Sequence, residues 1–211
     1  MDSGNKGKGK GKKVPEAPPT RKVSTGGAST SEPDSWDWGM YPGVIDRVLD
    51  QVNQATCWAI PIVRAVQALL NIGVGLQQQI QLSVQHMVNN VVFCPDQGVA
   101  NIKLSLNFMK NFGVCVESQC CHRGELQRRK CKHPKVHCYT VDSYIYSADI
   151  EDEDLVEIVR RQPVAAFMSF TDELLDYDID RNWMFHRDRT EDGLFTPMHT
   201  VLIVGYGRHN G

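Results

Sequence analysis

The 211-residue chain is 41% hydrophobic and 23% charged, enough apolar material for one ordinary domain or two small lobes with a real core. Its formal net charge of -2 gives no global pull toward nucleic acid. No apolar run approaches the roughly 20 residues of a membrane span, so no membrane partner is expected.

Residues 1–34 are basic and rich in Gly and Pro, with almost no large apolar side chains. Such a segment cannot bury enough surface to fold, and it reads as a disordered arm. It lacks the apolar stretch of a secretory signal, so the chain reads as intracellular as written. The Lys-Gly run at 6–13 fits either a solvated tail or a nucleic-acid patch. Nucleic acid is not expected as a partner on this run alone. Ordered structure is expected from S-W-D-W-G-M (35–40) onward.

Between Cys57 and Asn71, the residues Ile62, Val66, Leu69 and Leu70 recur at helical spacing, and Gly73 follows as a stop. The Pro61 ring would clash with the Cys57 carbonyl inside a regular helix. The helix should therefore start near residues 58–60, with Cys57 at its amino end. Short helices are predicted over 82–90 and 101–112, the latter with Ile102, Ser105, Leu106 and Met109 on one face. Residues 113–138 read as an irregular loop. Residues 137–148 alternate like a strand. Residues 149–161 place acids first and arginines last, as a helix dipole favours, and Pro163 ends that helix. Two buried strands are predicted at 164–170 and 199–207. The fold class expected is α+β, with Cys57 in a helical lobe and His199 in a strand-rich one.

A thiol becomes a useful nucleophile when its pKa falls, and a helix amino terminus or an imidazolium partner lowers it. Cys57 has the first, and His199 heads a strand that would hold its ring rigidly. Acyl transfer also needs donors for the developing oxyanion. Gln51 and the Cys57 backbone N–H lie in one loop and could supply them. The alternative is a small buried cysteine with no reactivity, which is what most free cysteines are.

Five segments taken together resemble the papain-like cysteine peptidases, the family of papain and the cathepsins. They are W-D-W-G…G-V-I-D-R-V-L-D-Q (36–51), Q-V-N-Q-A-T-C-W-A (51–59), L-S-V-Q-H-M-V-N (82–89), Q-P-V (162–164) and M-H-T-V-L-I-V-G-Y-G (198–207). The resemblance implies a papain-like two-lobe fold over 35–211. Residues 35–136 would form a mainly helical lobe and 137–211 a partial β-barrel lobe whose last strands are missing. It implies Cys57 as nucleophile, His199 as base and then acid, and Gln51 in the oxyanion hole. Trp58, Gly98, Val164 and Met198 would line the substrate cleft, with Val164 and Met198 favouring an apolar side chain. The substrate would be a polypeptide, cystatin-like proteins would be inhibitors, and no metal or organic cofactor is implied.

Departures from the family are specific. Its orienting Asn lies in an N-S-W-G segment after the histidine strand, whereas this sequence reads G-Y-G-R-H-N-G, as if truncated before it. Gln54 and Ala55 replace the Cys-Gly that usually precedes the nucleophile, and Asn90 stands where a framework Cys is usual. A catalytically inactive protein that binds peptides or protein partners in the same cleft is the alternative function. Residues 115–138 also concentrate Cys115, Cys120, Cys121, His122, Cys131, His133, His137 and Cys138. Their spacing matches no standard zinc finger, so zinc, disulfides and plain loop thiols all stay open.

Overall fold

The structure is a computed structural model and describes residues 35–51, 55–74, 79–94, 96–122, 137–170, 174, 177 and 198–207. The arm expected at 1–34 lies outside them. In chain order the elements are β1 (Trp36–Asp37), a 3-10 turn (Trp38–Met40), α1 (Ile60–Val74), α2 (Val84–Asn90), α3 (Lys103–Asn111) and β2 (Val114–Cys115). Then come β3 (Cys138–Tyr139), α4 (Asp152–Arg161), β4 (Val164–Ser169), β5 (Met198–Ile203) and β6 (Gly205–Tyr206). Helices dominate the first half and strands the second. Among the described residues no helix is long and apolar enough to cross a membrane.

Helix α1 starts at Ile60, as the Pro61 clash requires. Pro61 sits in the first turn, where its missing N–H would have had no intrahelical acceptor anyway. Three of the four residues of the expected apolar face do meet the core, Ile62 buried in it and Val66 and Leu70 packed against it, but the buried surface is wider than that face. Ile62, Val63, Gln67, Ala68 and Asn71 are inside, while Leu69 is 43% exposed. The helix is covered on two sides: Ile62 and Val63 join the main core, and Ala68 meets Trp38 and Val44. Its two buried amides are both hydrogen-bonded. Gln67 Oε1 accepts from the Leu82 N–H (2.9 Å) and from Arg64 (2.6 Å). Asn71 donates to the Gly43 carbonyl (2.7 Å) and accepts from the Ile80 N–H (2.8 Å). Gly73 does not stop the helix, which runs one residue further to Val74.

Helix α2 is capped by Ser83, whose Oγ accepts from the His86 N–H (3.0 Å) and donates to the Cys120 carbonyl. Met87 and Val88 bury fully against Ile62, Val63, Met109 and Val114. On α3 the predicted face holds: Ser105 and Met109 are buried, and Ile102 and Leu106 pack on the same core. Helix α4 follows its charge pattern, with Asp152, Glu153 and Asp154 in the first turn and Arg160 and Arg161 in the last. The Trp38 indole N–H donates to its Val159 carbonyl (2.6 Å), one of the end carbonyls a helix leaves unused.

The strand expected over 137–148 shrinks to Cys138–Tyr139, which pairs with β2. Beyond it the alternating side chains find no partner strand among the described residues, and Ile145 is 94% exposed. Strands β4 and β5 form an antiparallel ladder from Val164↔Ile203 to Ser169↔Met198. After Val204 the chain changes partners, and β6 pairs with β1 through Trp36↔Tyr206 and Asp37↔Gly205. Helix α1 packs against both β4 and β5, and Ala165 of β4 touches the helical core.

Candidate active site

Cys57 opens a tight turn ahead of α1. The Ala59 N–H bonds to the Thr56 carbonyl (3.0 Å), and the Val63 N–H bonds to the Ala59 carbonyl (3.1 Å), so the turn runs straight into the helix. The Cys57 side chain is half-buried and is not in a disulfide. Trp58 belongs to the core rather than to an open cleft, being only 3% exposed with its ring 5.3 Å from that of Phe93. It therefore cannot present its face to a substrate in this conformation. What it does is support Gly98.

Gly98 has φ +78 and exchanges two backbone hydrogen bonds with Cys94, of 2.8 and 2.7 Å. A Cβ there would lie 3.2 Å from the Ala55 carbonyl oxygen and 3.3 Å from the Trp58 ring. The positive φ favours glycine here, and an added Cβ would also sit tightly against the cysteine loop. Gln51 is half-buried, and its Oε1 is buried with no hydrogen-bond partner among the described residues. Residues 52–54, which join it to the cysteine turn, lie outside those described.

His199 is the second residue of β5, opposite Met168. Its ring lies 5.3 Å from the Phe170 ring, and burial pushes its pKa below the ordinary imidazole value. A half-buried imidazole of this kind is neutral at neutral pH and can accept a proton. No hydrogen bond holds the ring among the described residues. Helix α1, which follows the Cys57 turn, packs against β4 and against β5, the strand that carries His199.

Val164 and Met198 do not come together. They stand at opposite ends of the β4–β5 ladder, about 17 Å apart at strand spacing, and on opposite faces. Alternation along the strands puts Val164 on the His199 face. Met198, 60% exposed, shares its face with Phe167, 40% exposed, and with buried Thr200. Phe167 was unmarked in the sequence. It lies inside an all-apolar run that carries no sign of which side chains face out. Among the described residues no group of three or more His, Cys, Asp or Glu could hold a metal. Cys131 and His133 lie outside that set. Cys120 is disulfide-bonded, so the thiols of this region are not uniformly reduced.

These features can be set beside known proteins. The family model described as papain family cysteine protease matches residues 32–211. A probable cysteine protease, RDL6 of Arabidopsis thaliana, is 28% identical over 186 residues, covering 85% of this chain and 49% of that protein. Zingipain-2 of Zingiber officinale is 27% identical over 183 residues, covering 84% of this chain and 76% of that protein. The chain spans about half, or less, of the length of the Arabidopsis relatives it matches. The proform of the ragweed pollen allergen Amb a 11, a cysteine protease, superposes with a TM-score of 0.65 at 24% identity, over 86% of this chain and 53% of that one. The Carica candamarcensis cysteine protease CMS1MS2, solved in complex with E-64, gives 0.63 at 21% identity, over 83% and 78%. The α+β architecture is thus the papain-like one, and the chain belongs to the papain family of cysteine proteases.

Proposed function

We propose that this chain hydrolyses peptide bonds as a cysteine peptidase. Cys57 attacks the scissile carbonyl, and His199 takes the thiol proton and returns it to the leaving amine. The Gln51 amide and the Cys57 N–H receive the negative charge that develops on oxygen. The observation that carries this reading is the seating of α1, headed by the Cys57 turn, on the ladder that holds a desolvated His199. Desolvation suits a base, since it keeps the imidazole unprotonated until the thiol proton arrives. Met198 and Phe167 share the exposed face of the ladder opposite to His199, and Val164 shares the His199 face, so the Val164–Met198 pair expected from sequence does not form one substrate pocket. Likeness to a protease solved with E-64 adds support for peptide-like ligands.

The test is labelling of the folded chain with a peptidyl epoxide, read by mass spectrometry, beside hydrolysis of a fluorogenic peptide. The expected result is one adduct on Cys57 and a loss of turnover of about 10³-fold or more in Cys57→Ser. A second reading, peptide binding without catalysis, draws on the His199 ring, which no hydrogen bond orients among the described residues. Peptide binding with no adduct at Cys57 and no turnover would favour it and discard the first.

A further inference from the structure

We propose that Cys115 and Cys138 form a redox-modification site, a thiol pair that closes into a cross-strand disulfide by exchange with a low-molecular-weight disulfide. The register of β2 and β3 sets the two cysteines directly opposite one another. The kind of pairing follows from the backbone. Cys115 spends both its main-chain groups on the α2 side: its carbonyl accepts from the Ser83 N–H (2.9 Å), and its N–H donates to His86 Nδ1 (3.4 Å). In a strand, the N–H and C=O of one residue point to the same edge, so neither faces β3. Cys115 and Cys138 are therefore a non-hydrogen-bonded pair, the close kind, with Cα atoms roughly 4.5 Å apart and side chains on the same face. That spacing lies inside the range that a disulfide spans. Cys121 is the competing thiol, near enough for its charge to act on Cys115. It is exposed, and its thiol turns back toward the Ser118 carbonyl (3.7 Å). Disulfide chemistry already reaches this region, since Cys120 is bonded.

Burial, with Cys138 beside it, pushes the Cys115 thiol up to about 11, and burial raises Cys138 as well. Exchange therefore begins at Cys138, the less buried of the two, and quickens as pH rises. Cys138 loses its proton and attacks one sulfur of the oxidant, releasing a thiolate. Cys115 then loses its proton and attacks the Cys138 sulfur, releasing the second. The two protein thiols are oxidised by two electrons to one disulfide. The oxidant is reduced to two thiols, which carry off both protons. The product ties β2, which follows the helical half, to β3, which opens the strand-rich half. The reaction does not involve Cys57 and stands apart from the proposed proteolysis.

The test treats the full chain, and its Cys57→Ser variant, with oxidised glutathione in excess over reduced glutathione. Acid quenching, alkylation, digestion and mass spectrometry follow. The expected product in both proteins is a Cys115–Cys138 linked peptide pair lacking two hydrogens, formed faster at higher pH and lost on reduction. In Cys115→Ala, glutathione should stay trapped on Cys138. In Cys138→Ala, Cys115 should stay unmodified. Only glutathione adducts at Cys138 in the parent chain, or a link from either cysteine to Cys121, would overturn the proposal. The map on the parent chain decides even if a variant does not fold.

Discussion

Cys57 alone is a small half-buried thiol, and nothing in its own chemistry marks it as a nucleophile. Its meaning comes from the turn that holds it, from Gly98 pressed against that turn, and from a desolvated imidazole on the strand pair beneath α1. Burial holds both His86 and His199 below the ordinary imidazole value of 6.5. The sign of the consequence is fixed. As pH falls through 6.5 the unfolded chain takes up protons that the native chain refuses, so stability is complete above that value and falls below it. Urea unfolding between about pH 7.5 and pH 5 should show the midpoint dropping with acid, and His199→Asn should flatten that slope. A slope unchanged in this variant would show that His199 is not desolvated. Trp58, expected to line the cleft, lies in the core instead, because adjacency in sequence to the proposed nucleophile does not bring a side chain to the surface.

Secondary structure elements were legible wherever local rules governed them. The start of α1 follows from Pro61, the polarity of α4 from its acids and arginines, and β4 and β5 from two apolar runs. One buried side of α1 was legible in Ile62, Val66 and Leu70, but the second was not, because a helix covered on two sides can bury Gln67 and Asn71 once their amides are hydrogen-bonded. The 137–148 segment was overread, since alternation makes a strand only where another strand waits beside it. Helix α2 depends on one hydroxyl, since Ser83 both caps it and supplies the Cys120 carbonyl. Ser83→Ala should cost about 2–4 kcal/mol in chemical denaturation, the loss of a cap plus a buried carbonyl left bare. A loss under about 0.5 kcal/mol would mean that the cap contributes nothing.

At the scale of the whole molecule, the fold is closed by long-range seams between elements far apart in sequence. The seam between β1 and β6 is the one least visible in sequence, because each strand has two residues and neither announces a partner. Gly205 permits it: a Cβ at that position would run into the Trp36 carbonyl oxygen. Gly205→Val should cost about 1–3 kcal/mol by overpacking. It should also release the Trp38 amide, which bonds to the Val204 carbonyl (2.9 Å), to faster hydrogen exchange. Unchanged protection of that amide would show that the seam is dispensable. The same seam sets a clock during synthesis. Trp36 leaves the ribosome about 170 residues ahead of Tyr206, a delay on the order of 10–30 s at ordinary elongation rates. Through that interval Trp36 and Trp38 emerge without the strand that will pair with them, so the nascent chain carries an aromatic, sticky leading edge that invites a chaperone.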